Sequence, residues 1–218
     1  ETPGNFPFTR GLKTSNNNWS NGAYISVTDA KTANTEALES LMKGADLLVF
    51  TSTDSNCDWN TVLNGIQLEF IKAQFDVSSI EDYNAIKAIA GSHITNVLFN
   101  FDLIREKSDS NLLVQISNAT KTVQHPVLKV NGFAVQQLGA TTWQEIAFCL
   151  NVGHEYLLKL MDQGFTIDEA SALVHFHIGV GSNYFNEIGK FRALRQLWSK
   201  VIDAYKPSHK CTYNCNIT

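Results

Sequence analysis

The chain has 218 residues with 17 Lys and Arg against 21 Asp and Glu, a formal net charge of −4; the two signs are mixed along it, which argues against a nucleic-acid footprint or a polybasic membrane patch. At 44% hydrophobic and 17% charged it is too apolar for a disordered segment and able to bury a sizeable core. No apolar run approaches the ~20 residues of a transmembrane helix, and the opening ETPGNFPFTR does not read as a signal peptide.

Short β-like runs alternate with helical patterns. AYISVTD at 23–29 reads as an added edge strand, and LLVFTS at 47–52 as a buried one. Asp58 is placed to cap WNTVLNGI. FIKAQFDV at 70–77 is the next strand. Ser79 can cap IEDYNAIKAIA, whose Tyr83, Ile86, Ile89 and Ala90 recur at helical spacing, and Gly91 ends it. NVLFNFDL at 96–103 and HPVLKVN at 125–131 are further strands. A helix is expected over 142–163, ended by Gly164, then a strand ALVHFHIG at 172–179. The last helix, 183–205, shows Ile188, Phe191, Leu194, Leu197, Trp198 and Val201 as its apolar stripe. Its Lys190, Arg192, Arg195 and Lys200 read as a solvated or partner-facing side. Pro207 stops it, and CTYNCNIT begins one more strand.

This β-α order with apolar strands implies a parallel sheet covered by helices. The strand starts, two to three dozen residues apart, suit the repeat of a (β/α)8 barrel of about 250 residues, and a doubly wound sheet fits the same order. The expectation is a barrel incomplete in this chain, with about six of eight strands. Residues 1–22 form an N-terminal arm and 23–218 the partial barrel. Neither G-x-G-x-x-G nor G-x-x-x-x-G-K-[ST] occurs, and GVGSNYF at 179–185, which lacks the third glycine and the acidic partner, reads as a tight turn before a helix rather than a phosphate cradle.

The candidate chemistry is sparse. His175 and His177 alternate onto one face of their strand, with Val174, Phe176 and Ile178 on the other. Such a pair can share a metal, as in metal-dependent barrel hydrolases, with Asp102 as a further ligand; interior histidines filling the barrel are the plainer reading. His93 and His154 are poorly placed. Asp54, Asp58, Asp76 and Asp102 follow strands, where turn and cap roles compete with acid–base work. Ser52 and Ser182 lie in no nucleophile elbow. Cys149 reads as a small hydrophobe. Cys211 and Cys215 form a lone C-x3-C, and with Cys57 the four thiols suit a reducing, cytoplasmic setting.

Three stretches together resemble a known family: PFTRG at 7–11, NGFAVQQLGATTWQEIAFCLNVGHEYL at 131–157 and GSNYFNEIGKFRALRQLW at 181–198. They are similar to the barrel domain of the cobalamin-dependent acyl-CoA mutases, in particular the small (β) subunit type of methylmalonyl-CoA mutase. The resemblance implies an adenosylcobalamin enzyme interconverting succinyl-CoA and (R)-methylmalonyl-CoA. Its cobalamin-binding domain carries D-x-H-x-x-G, a signature this sequence does not contain, so that domain is expected to be absent and no cofactor to be bound here. Catalytic relatives read GYHMQEAGA where this chain has Gly132, Phe133, Ala134 and onward; their histidine holds the thioester carbonyl. They carry a tyrosine-rich segment after the PFTRG-like motif, where this chain has GLKTSNNNW, and a substrate-gripping arginine insertion, where it has REKSDSNLL with Arg105 unmatched. They place a small serine at the position of His175. The resemblance therefore implies a degenerate site at Phe133, Ala134 and His175, and a non-catalytic subunit whose partner is the large (α) subunit, bearer of cofactor and substrate. No nucleic acid or membrane partner is expected. The rival readings are an acyl-CoA isomerase with a relocated site, a metal-dependent hydrolase using His175 and His177, and a monomeric binding or structural module with no mutase partner.

Overall fold

A computed structural model describes residues 2–11, 19–52, 57–104, 110–120, 126–209, 215 and 217. The chain divides into two compact units, one of residues 18–121 and one joining 1–17 to 122–218.

The unit of 18–121 holds four strands in sequential order, all parallel: β1 (Gly22–Val27), β2 (Leu47–Ser52), β3 (Lys72–Asp76) and β4 (Val97–Asn100). Parallel neighbours require crossovers. Helices α1 (Ala30–Met42), α2 (Trp59–Val62) and α3 (Ile80–Ala90) provide them, and α4 (Ser110–Thr120) follows β4. Strand β1 is the expected edge strand: Ile25 and Val27 are buried while Tyr24 on the alternate face is exposed. On β2 three successive residues, Leu48, Val49 and Phe50, are buried, as a strand covered on both faces demands. The core is an aromatic row. Phe50, Phe75 and Phe99 are register partners on β2, β3 and β4; Phe50 and Phe75 stack at 5.1 Å, and Trp59 meets Phe75 edge-on at 5.4 Å. Asp58 and Ser79 cap α2 and α3 by accepting from the Thr61 and Asp82 amides. Gly91 ends α3 with a positive φ of 52°. One polar chain crosses this core: Trp59 Nε1 donates to Asp82 Oδ1 at 2.7 Å, and Ser79 donates to Asp82 Oδ2 at 2.8 Å.

The second unit pairs β5 (Leu128–Asn131) with β6 (Val174–His177), again in parallel. Helix α5 (Gly132–Gln137) leaves directly from β5, and α6 (Thr142–Asp162), α7 (Ile167–Leu173) and α8 (Tyr184–Asp203) complete it. Helices α6 and α8 pack on the Phe176 side of β6. Phe176 meets Trp198 edge-on at 4.9 Å. A Cβ at Gly153 would lie 2.9 Å from Trp198 Cζ3 and 3.0 Å from Phe176 Cζ, so only glycine permits this approach.

The structure corrects three expectations. Residues 172 and 173 belong to a helix rather than a strand: Thr166 and Glu169 form a capping box that starts α7, and β6 begins at Val174 with no loop between. The buried stripe of α8 is Glu187, Lys190, Leu194, Trp198 and Ile202. Ile188 and Leu197, expected inside, are 43% and 39% exposed. The six described strands include β1 and fall into ladders of four and two. The C-terminal run contributes a single described bridge, Ile217 to Phe176. The α/β class with parallel strands holds.

Candidate functional site

The C-terminal ends of β5 and β6 bring the sequence-flagged residues together. Asn131, the last residue of β5, caps α5 by accepting from the Ala134 amide at 3.1 Å. Gly132 lies so close to α6 that a Cβ there would sit 2.6 Å from Cys149 Sγ. The chain then turns outward. Phe133 and Ala134 are exposed, and the Phe133 ring stands edge-on to His177, centroids 5.6 Å apart. One turn later Gln136 covers Gly179, where a Cβ would collide with its amide.

Gly179 itself is clasped. Its amide donates to Glu145 Oε1 at 3.1 Å and its carbonyl accepts from Lys190 Nζ at 2.7 Å. Lys190 Nζ also donates to Glu145 Oε2 at 2.9 Å and pairs with Glu187 Oε2 at 2.5 Å. Glu145 and Lys190 are only 1% and 2% exposed. This ion cluster ties the loop after β6 to α6 and α8, and Asn183 caps α8. Burial alone would lower the pKa of the Lys190 ammonium; hydrogen bonds and charge from Glu187 and Glu145 outweigh it, and the pKa is raised. Burial, aided by the Glu145 charge, pushes the Cys149 thiol up to about 12, which makes it an inert packing group.

The sequence reading missed this cluster. Lys190 is not on a solvated side; it occupies the buried stripe of α8. The available signal was its spacing, since 187, 190, 194 and 198 follow one helical face. The partner Glu145 stands 45 residues away.

The other candidates stay apart. His175 is fully buried within β6 and His177 half-buried at its end. Among the described residues no group of three or more His, Cys, Asp or Glu could hold a metal ion. His154 contacts the Tyr205 hydroxyl at 2.6 Å, and His93 lies 3.9 Å from Glu69. Asp102 and Asp76 belong to the other unit, where Asp76 accepts from Asn100 Nδ2 at 2.8 Å. Ser52 ends β2, and Ser182 is exposed ahead of α8. Cys57, Cys149 and Cys215 are free thiols. Asp54, Arg105, Cys211 and nearly all of GLKTSNNNW lie outside the described residues. At the ends of β5 and β6 a buried ion cluster thus lies beneath the exposed Phe133 and Ala134.

Residues 112–216 match the family model for methylmalonyl-CoA mutase. The chain is 28% identical over 229 aligned residues to the methylmalonyl-CoA mutase small subunit of Porphyromonas gingivalis, a match covering 95% of this chain and 37% of that subunit. Over these spans the chain is similar to methylmalonyl-CoA mutases. A methylmalonyl-CoA mutase of Rhizobium meliloti is 35% identical over 80 residues, covering 37% of this chain and 11% of the relative. The large subunit from Propionibacterium freudenreichii subsp. shermanii is 32% identical over 82 residues, covering 38% and 11%. The match thus spans little more than a third of the small subunit's length and less of the others. No helix among the described residues is long and apolar enough to cross a membrane.

Proposed function

We propose that this chain is the barrel part of a non-catalytic small subunit of methylmalonyl-CoA mutase, which stabilises a catalytic large subunit as a heterodimer. Ala134 carries this reading. It stands exposed at the end of β5, where the resemblance puts a histidine on the thioester carbonyl. A methyl group neither donates nor accepts a hydrogen bond, so that electrostatic contact cannot be made from this position. Phe133 set against His177, and the buried His175 in place of a small serine, support the same reading.

The large subunit then holds the adenosylcobalamin and interconverts succinyl-CoA and (R)-methylmalonyl-CoA. When bound, that cofactor supplies the radical chemistry, and the protein's share is positioning and shielding. Phe133 and Ala134 do not fit a role in holding it, since neither side chain has a polar atom. Further strands would complete the (β/α)8 barrel. The three free thiols suit a cytoplasmic setting.

The test is native mass spectrometry of the full-length protein with and without a co-expressed catalytic chain. A one-to-one complex with cobalamin confined to the partner, and a melting point of the large chain raised by association, is the expected result. A chain that stays apart from the large subunit, or binds a coenzyme A ester itself, would overturn the proposal.

A further inference from the structure

A pocket of about 480 Å³ opens within the second unit, between the N-terminal segment and the first turns of α8. Its volume falls in the range of small-molecule sites, roughly 300–1,000 Å³. Three arginines line it, Arg10, Arg192 and Arg195, with Thr9 beside them and the rings of Tyr184 and Phe191 as apolar wall. Glu187 is the one acid in the lining, and its carboxylate is engaged by Lys190.

Arg195 is the informative member. Its Cζ, Nε and Nη2 lie 3.9–4.0 Å from where a Cβ of Gly11 would be, so the guanidinium faces the space that a side chain at position 11 would enter. Among the described residues Arg195 has neither a carboxylate nor a hydrogen-bond partner, although it is half-buried. Burial lowers its pKa from the ordinary value, the mark of a cation deprived of water. A partly desolvated guanidinium without a counter-ion is costly to keep unless an anion completes it.

We propose that this pocket binds a small phosphate-bearing molecule, its phosphate held on the fork of Arg195 with Arg10 and Arg192 around it and its organic part against Tyr184 and Phe191. Phosphate is favoured over a single carboxylate because the planar fork of Arg195 matches its oxygens and two further arginines line the same pocket. Neither Phe133 nor Ala134 lines this pocket, and the proposal does not depend on the subunit's catalytic role.

The experiment is calorimetric titration of the full-length chain with inorganic phosphate, repeated with succinate, on the wild type, Arg195→Gln and Lys200→Gln. Lys200 is an exposed cation of the same helix and controls for general charge. The expected result is saturable phosphate binding, weakened about ten-fold or more by Arg195→Gln and left within two-fold (~) by Lys200→Gln. Absence of saturable phosphate binding, equal weakening by both substitutions, or binding of succinate in place of phosphate would overturn the proposal. Should Arg195→Gln fail to fold, Tyr184→Trp on the wild-type background gives a second reading: phosphate must change its tryptophan emission saturably, and an unchanged spectrum also overturns it.

Discussion

Apart from the Trp59–Asp82–Ser79 chain, the unit of 18–121 is held by contacts that other apolar residues could supply, whereas the unit built on 122–218 is held by contacts that few residues could. In the first, Phe50, Phe75, Phe99 and Trp59 fill a core whose requirement is volume in the right place. In the second, Gly132 and Gly153 admit atoms within 3 Å of a missing Cβ, and Lys190 must meet Glu145, Glu187 and the Gly179 carbonyl at once. The family model matches 112–216, within which these demands fall. Aromatic and aliphatic cores can drift while keeping their fold. A buried ammonium with two carboxylates cannot lose one member without leaving a charge unpaired.

The sharpest way to break this contrast is to put the same residue into both units. Lys190→Met keeps length and volume but leaves Glu145 and Glu187 without their cation; a loss of about 3–5 kcal/mol in urea unfolding is expected, with amide exchange in 122–218 accelerated first. A loss below ~1 kcal/mol would mean that the carboxylates find protons or water, and the contrast would fail.

Alkaline pH should separate the units next. Cys149 and Lys190 both have raised pKa values when folded. Their stabilising contributions are therefore complete below the ordinary values of 9.0 and 10.5 and are lost as pH rises toward the folded ones. Tyr83, in the other unit, is raised by burial from 10.0 and acts only above that. Hydrogen exchange should show 122–218 weakening from about pH 9, ahead of 18–121; simultaneous onset would remove the distinction.

Gly153→Ala, one methyl group against Trp198 and Phe176, should cost about 1–3 kcal/mol by overpacking, read as a lower thermal midpoint. The smallest effect belongs to Leu48→Met, at a fully buried position of β2, expected below about 1.5 kcal/mol because volume and polarity are conserved. If Leu48→Met proved as damaging as Gly153→Ala, the first unit would be no more tolerant than the second.

Much of the fold was readable because its punctuation is local. Asp58, Ser79 and Gly91 act within one helical turn, and the burial of LLVFTS follows from its unbroken apolar run. Helix α7 was missed although Thr166 and Glu169 stood at capping-box spacing, because the β-like run after it drew Ala172 and Leu173 into the strand. The stripe of α8 was turned away from its true face because hydrophobicity alone points to Ile188 and Leu197, and a buried lysine makes sense only once Glu145 is beside it. The site divides similarly. Alternation placed His175 and His177, and a motif resemblance located Phe133 and Ala134, but the cover of Gln136 over Gly179 depends on two segments that are distant in sequence meeting in space.

The junction of α7 and β6 sets a reading frame. Helix ends and strand begins between Leu173 and Val174, with no residue to absorb a change of count. Inserting or deleting one residue there would invert the strand, sending Phe176 away from Trp198 and His175 toward the helices. Two residues would restore the faces and shift the pairing with β5 by one repeat. Lineages descending from such a chain should therefore accept substitutions at this boundary far more readily than changes of length, and length variation should collect in the connections between other elements.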